Sequence, residues 1–261
     1  IRVYQAMGVP ESEYPFFAHL PFVMGQDNAK LSKRNGETSI AWYREMGFLP
    51  EAICNYLALL GWSPGDDREN VTMQEIADLF TVERVNSSPA RFDMKKLEAI
   101  NGDKIRELTL DDFLKRALPF LIKDQVIKGD AKEIEIVKAA LPIIQERIVT
   151  LSEIPAMLKF LFVTNFQVEA ESLPKIGDES AQAILKRALA DLSNLNDWSH
   201  AGIEAVLRAS LIEELALKPR IAFTALRIAT TGSTISPPLF ESMELLGKEA
   251  CLLRINAGLA L

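Results

Sequence analysis

From about residue 38 to the end of the chain, apolar residues recur at spacings of three and four, and alternating apolar–polar runs are nearly absent. That pattern restricts the fold to packed helices, because a 3.6-residue period buries one stripe of a helix and no single face of a strand. Residues 178–193 carry Ala181, Ile184, Leu185, Ala188, Leu189 and Leu192 on one face. Ile203, Val206, Leu207, Leu211 and Leu215 repeat the arrangement. The same reading predicts helices over 93–101, 110–122, 133–147, 152–163, 178–193, 201–216, 218–231 and 238–257.

Local signals place the earlier helices. Ser39 caps a helix through IAWYREMG, which Gly47 ends. Pro50 opens another, with Ile53, Tyr56, Leu57 and Leu60 on its predicted buried face. Thr72 and Glu75 have the spacing of a capping box for a helix reaching Phe80. ESLPKIGDE (171–179) reads as a linker and GDKIRELT (102–109) as a weaker one. FFAHLPFVMG (16–25) has the composition of a short buried strand, with His19 buried and hydrogen-bonded in it. No fixed-period repeat is present, which argues against a solenoid.

Composition narrows the class. The 261 residues are 48% hydrophobic and 25% charged, as in globular proteins. The longest uncharged apolar stretch, residues 52–62, falls short of the ~20 residues a membrane span needs. The opening IRVYQAMGVP has no signal-peptide pattern and no initiator Met, so a truncated chain is expected; with two cysteines and no CxxC, cytoplasm is the default, and a monomer is expected. Two cysteines and two histidines make neither a disulfide framework nor a zinc site, and no metal ligand is assigned. The net charge of -7 excludes a uniformly basic nucleic-acid-binding coat, yet residues 215–261 carry a net +2.

Three stretches concentrate cationic side chains. KLSKR (30–34) is a basic loop beside Asn35 and Gly36, of a kind that neutralises charge at a breaking phosphoryl bond. By spacing alone such a run is more often a solvated loop. KPRIAFTALR (218–227) places Arg220 and Arg227 about 20° apart on one helix face. The loop TTGSTISPP follows, a combination suited to unpaired RNA bases. From spacing alone, an ordinary helix–loop–helix with exposed arginines is the stronger reading. In RFDMKKL (91–97), Phe92, Met94 and Leu97 read as core and Asp93 as an N-cap. His200 reads as framing a helix start beside Trp198.

AHLPFVMGQDNAKLSKRNGETSIAWYREMGFLPEAICNYLALLGWSP resembles the end of the catalytic domain of bacterial-type glutamyl-tRNA synthetases, class I enzymes whose KMSKS signature KLSKR matches. The resemblance continues through RFDMKKLEAINGDKIREL, RIVTLSEI, DWSHAGIEAVL and KPRIAFTALRIATTGSTISPPLFESMELLGKE, in the family's order. It implies that Lys33 contacts the ATP triphosphate as the catalytic residue, with Lys30, Ser32 and Arg34 completing the loop. Leu31 for Met and Arg34 for Ser are the departures from the signature. It also implies that Arg227 stacks near the anticodon beside Arg220, and that Ser236, Pro237 and Leu239 approach its bases. Arg147 would read the last anticodon base, and Arg91, Lys95 and Lys96 would contact phosphates.

The implied partners are glutamate tRNA and, in the full-length enzyme, ATP, magnesium and L-glutamate. No cofactor is expected on this chain alone. The HIGH-type motif is absent, so the chain alone is expected to bind tRNA without activating glutamate. The expected architecture is all-α, a series of helical bundles after a short remnant of an α/β catalytic domain. Its parts are that remnant with its loop (1–36), a stem-contact region (37–108) and two anticodon-binding subdomains (109–174 and 175–261). The remnant's first ~25 residues are expected to be poorly held. The alternatives are a helical protein-interaction scaffold and a non-discriminating synthetase that also charges glutamine tRNA. A glutaminyl enzyme fits less well, because its C-terminal region would be β-barrels.

Overall fold

A computed structural model of the chain describes residues 1–25, 29–31 and 39–261. The described residues form fourteen α-helices and no strand, as the periodicity predicts, with only two isolated β-bridges. No helix among them is long and apolar enough to cross a membrane. The chain divides into two compact units, one of residues 1–42 and 50–100, the other of 43–49 and 101–261.

The first unit contains α1 (Arg2–Ala6), the start of α2 (Ile40–Glu45), α3 (Pro50–Leu59), α4 (Met73–Leu79) and the start of α5 (Met94–Arg106). Ser39 accepts the Trp42 N–H at 3.1 Å, and the Thr72–Glu75 capping box is formed as predicted. The buried face of α3 is rotated from the predicted one: Ala52, Asn55 and Tyr56 are buried, while Leu57 is 52% exposed. The cause is Asn55, whose amide accepts the Val71 N–H and donates to the Glu69 carbonyl, both at 2.9 Å. A fully satisfied amide belongs in a core where an unsatisfied one does not. The predicted buried strand at 16–25 reduces to Met24, which bridges Lys30 on one side and Arg91 on the other. Phe16, Phe17, Leu20 and Phe22 are exposed, and so is His19, correcting its predicted burial. No strand among the described residues covers them.

The second unit comprises the ends of α2 and α5, with α6 (Leu110–Lys123), α7 (Ala131–Gln145), α8 (Ile154–Leu158), α9 (Leu173–Ile176), α10 (Glu179–Ser193), α11 (His200–Leu207), α12 (Pro219–Thr231), α13 (Leu239–Leu246) and α14 (Lys248–Gly258). Its last five helices enclose a core of Leu185, Leu192, Ile203, Leu207, Leu226, Met243 and Ile255, among others. The α10 stripe is buried where the spacing put it. Several predicted boundaries move. The 102–109 segment is no linker through Arg106, because Gln145 Nε2 donates to the Ile105 and Leu108 carbonyls at 2.8 and 3.0 Å and α5 runs on. The 171–179 segment is also no linker: its α9 inserts Ile176, fully buried, before Asp178 caps α10. The predicted 152–163 helix breaks into short α and 3-10 turns, and the 201–216 helix turns into a π-helix at Arg208. The predicted 238–257 helix is two helices, parted at Gly247 with φ +85°.

A buried cation joins distant parts of this unit. Arg254 on α14 is 6% exposed and donates to the Thr230 carbonyl at 2.7 Å and the Phe160 carbonyl at 2.8 Å. Its guanidinium lies 4.0 Å from the centre of the Phe166 ring. Charge-assisted bonds and a ring face offset the desolvation of the cation.

Gly47 sits at φ +78°, and a Cβ there would lie 2.7 Å from the Leu151 and Ser152 backbone nitrogens. Gly47→Ala is therefore expected to lower unfolding free energy by about 2 kcal/mol or more, measurable by urea denaturation. Cys251 is fully buried and its thiol is pushed up to about 12 by desolvation, whereas Cys54 is exposed. A thiol reagent at pH 8 is expected to label Cys54 alone in the native chain and both cysteines after unfolding.

Candidate functional site

The loop after α12 is built from the helix end outward. Gly232, at φ +86°, ends α12 in the left-handed cap that favours glycine, and its carbonyl accepts the Glu169 N–H at 2.9 Å. The chain then turns through residues 233–238 into α13. Arg227, one turn before the cap, reaches across this loop. Its Nη1 donates to Ser236 Oγ at 2.7 Å and the Pro237 carbonyl at 2.6 Å, with a longer contact to the Ser236 carbonyl at 3.4 Å. One guanidinium thus fixes the segment that sequence reasoning paired with it.

Arg147 lies in the turn after α7, far from Arg227 in sequence, yet its charge acts on Arg227 in space. Burial depresses the Arg227 pKa first, and the Arg147 charge depresses it further, while Glu241 partly offsets both. Arg147 is exposed and Arg227 half-buried. Two like charges held close by the fold repel, and a bound anion relieves that repulsion. Arg227, Ser236 and Pro237 are therefore brought together, within the electrostatic reach of Arg147.

The loop side chains divide by exposure. Ser236 is 7% exposed, Pro237 is buried, and Leu239 packs into the helical core at 4%. The outward-facing group is Ile235, 75% exposed, which the sequence reading did not single out. A cavity of about 280 Å³ lies beside it, lined by Met157, Lys159, Phe160, Ser233, Ile235 and Ser236, among others. Lys159 pairs with Glu169 at 2.8 Å and, with a Ser233 hydrogen bond, holds that carboxyl below its usual range. Only tertiary structure could have assembled Met157 and Lys159 with Ile235. Arg220 is exposed on the first turn of α12 and lines a separate cavity.

In the first unit, Phe92 meets Tyr56 edge-on with ring centres 5.2 Å apart, and the Asp93 N–H donates to the Tyr56 hydroxyl at 2.6 Å. Asp93 Oδ1 accepts from the Lys95 and Lys96 amides at 3.0 and 3.3 Å, the N-cap that was expected. Lys95 is exposed, Lys96 pairs with Glu69 at 2.6 Å, and Arg91 is exposed with its backbone bridged to Met24. Lys30 lies 3.7 Å above the Phe22 ring, and the Leu31 N–H donates to the Val23 carbonyl at 2.9 Å. Ser32, Lys33 and Arg34 lie outside the described residues. His200 begins α11 and its Nδ1 lies 2.9 Å from Glu244 Oε2.

Comparison with known proteins gives two matches in chain order. Residues 1–99 match the model of the catalytic domain of class I tRNA synthetases (E and Q), and residues 112–259 match that of an anticodon binding domain. A glutamate–tRNA ligase of Saccharopolyspora erythraea is 46% identical over 94% of this chain and 49% of its own length. One from Rhodococcus jostii is 44% identical over the whole chain and 54% of its own length. The chain thus spans about half the length of the curated relatives it matches. A crystal structure of a glutamate tRNA ligase from Elizabethkingia meningosepticum superposes with a TM-score of 0.78 at 27% identity, over 99% of this chain and 53% of that one.

Arg227→Lys keeps the charge but replaces a planar fork with a point donor. The variant is expected to lose hydrogen-exchange protection at residues 233–236 while α10 and α14 stay protected.

Proposed function

Because the chain belongs to the glutamate–tRNA ligase family, with class I catalytic and anticodon-binding parts, we propose that it binds the anticodon end of a glutamate-accepting tRNA. The observation that carries this reading is Arg227 bonded across the Ser236–Pro237 turn, with the Arg147 charge acting on the same group. In this reading Arg227 stacks on an unpaired base through its guanidinium face, which the in-plane bonds to the loop do not occupy. Arg147 reads a neighbouring base. Ser236, Pro237 and Leu239 act through the shape of the turn, since their side chains are largely covered. Ile235 supplies an apolar contact to a base entering the cavity beside it.

The rest of the assignment follows the family. Lys30, Ser32, Lys33 and Arg34 serve the ATP triphosphate, with Lys33 as the catalytic contact and magnesium as the companion ion. Arg91, Lys95, Lys96 and Arg220 contact tRNA phosphates and contribute affinity without base preference. The four-part division at residues 36, 108 and 174 is part of the same reading. The activity of the whole protein is ATP-dependent attachment of glutamate to that tRNA.

The test is a salt-dependent titration of the chain with glutamate tRNA and with a twin altered only in the anticodon. The chain is expected to prefer the unaltered tRNA by roughly 5- to 100-fold, and Arg227→Ala is expected to remove most of that preference. Equal binding of both RNAs by the unmodified chain would overturn anticodon reading, and no binding of either would overturn the RNA function.

A further inference from the structure

A second cavity, of about 540 Å³, lies between α9, α10 and α12. Its walls combine three kinds of group. Ala181, Ile184 and Ala225 form an apolar floor, each no more than 4% exposed, with Ile221 half-exposed beside them. Ser180, Thr224 and Thr234 contribute hydroxyls. Lys175 and Arg220 contribute two exposed cations, neither in an ion pair among the described residues. Thr224 Oγ1 donates to the Arg220 carbonyl at 2.6 Å, so toward a ligand this oxygen can only accept.

The cavity also holds Asp178, whose Oδ1 accepts the Ala181 N–H at 2.7 Å as the cap of α10. A carboxylate disfavours a bare inorganic anion. It suits a ligand that brings hydroxyl or amino donors together with its negative charge. A ribonucleotide has all three elements: an apolar base face, hydroxyl donors and a phosphate. Ordinary ligand cavities run from about 300 to 1,000 Å³, so the volume is ample for one.

We propose that this cavity takes one unpaired nucleotide of the bound tRNA, its phosphate held between Lys175 and Arg220. The inference rests on the RNA-binding reading above and adds a site to it. Arg220 and Arg227 lie seven residues apart on α12, about 10 Å along one face. That separation is within reach of a short run of nucleotides leaving the Arg227 site. Thr234, in the loop that Arg227 braces, lines the cavity and joins the two sites. Lys175 stands on α9, in a segment whose sequence reads only as a linker.

The experiment uses the full chain with the anticodon stem-loop RNA of a glutamate tRNA and with its anticodon-altered twin, at several salt concentrations. Lys175→Ala and Arg220→Ala are each expected to weaken both RNAs by the same factor, roughly three- to tenfold. Each is also expected to reduce the magnitude of the log–log salt slope by about 0.7, with the anticodon preference unchanged. Both side chains are exposed, so equal thermal midpoints are expected and verify the fold. If both variants bind as the unmodified chain does while Arg227→Ala still removes the anticodon preference, the cavity does not hold RNA and the anticodon reading stands. If the unmodified chain binds neither RNA, both fail together.

Discussion

The second unit depends on one buried cation. Arg254 carries full charge into a place with 6% exposure, and the fold answers it with two carbonyls and a ring. Those carbonyls belong to Thr230, at the end of α12, and to Phe160, in the turns after α8. Each such bond contributes about 1.5–3 kcal/mol, and losing either leaves a buried group unsatisfied. Through Arg254 the end of α12 and the turns after α8 are held against the same helix. The loop that follows α12 therefore starts from a fixed point. The Glu169 N–H to the Gly232 carbonyl is a second tie at the same place.

From that fixed point the site needs only one more constraint, and Arg227 supplies it. Its bonds to Ser236 and Pro237 hold the turn. A loop ordered beforehand does not lose its conformational freedom again on binding. The cost is electrostatic. Burial and the nearby Arg147 both work against the Arg227 charge, and Glu241 offsets only part.

How much of this was legible in the sequence varied with the range of the interaction. The caps at Ser39, Thr72 and Asp93 were readable because each needs only four consecutive positions. The α10 stripe was readable because its period is long and unbroken. What failed depended on partners distant in the chain. Leu57 fits a helical stripe, yet Asn55 takes the buried face because Val71 and Glu69 satisfy its amide. ESLPKIGDE has the composition of a linker, but Ile176 finds a core to enter. Gly247 does not interrupt the apolar period, so the break between α13 and α14 leaves no trace in the spacing. At the site, the pairing of Arg227 with Ser236 was within reach of sequence reasoning, whereas Met157, Lys159 and Lys175 were not. They enter from elements that local pattern describes as nothing more than short helix or linker.

The net charge of -7 poses the last physical question, since RNA is a polyanion. Overall charge governs encounter at low ionic strength, but at physiological salt a charge is felt only within a Debye length of about 8 Å. Arg220 and Arg227 stand about 10 Å apart on α12, so each acts on its own patch of surface. Residues 215–261 hold a local net +2 while the remaining residues carry -9. Carboxylates elsewhere then slow non-specific association with nucleic acid without cancelling the field at the two cavities. Such a distribution favours contact at chosen phosphates over general adhesion. It lets a chain that is acidic as a whole present exposed Lys175 and Arg220, neither in an ion pair among the described residues, at the cavity proposed to hold RNA.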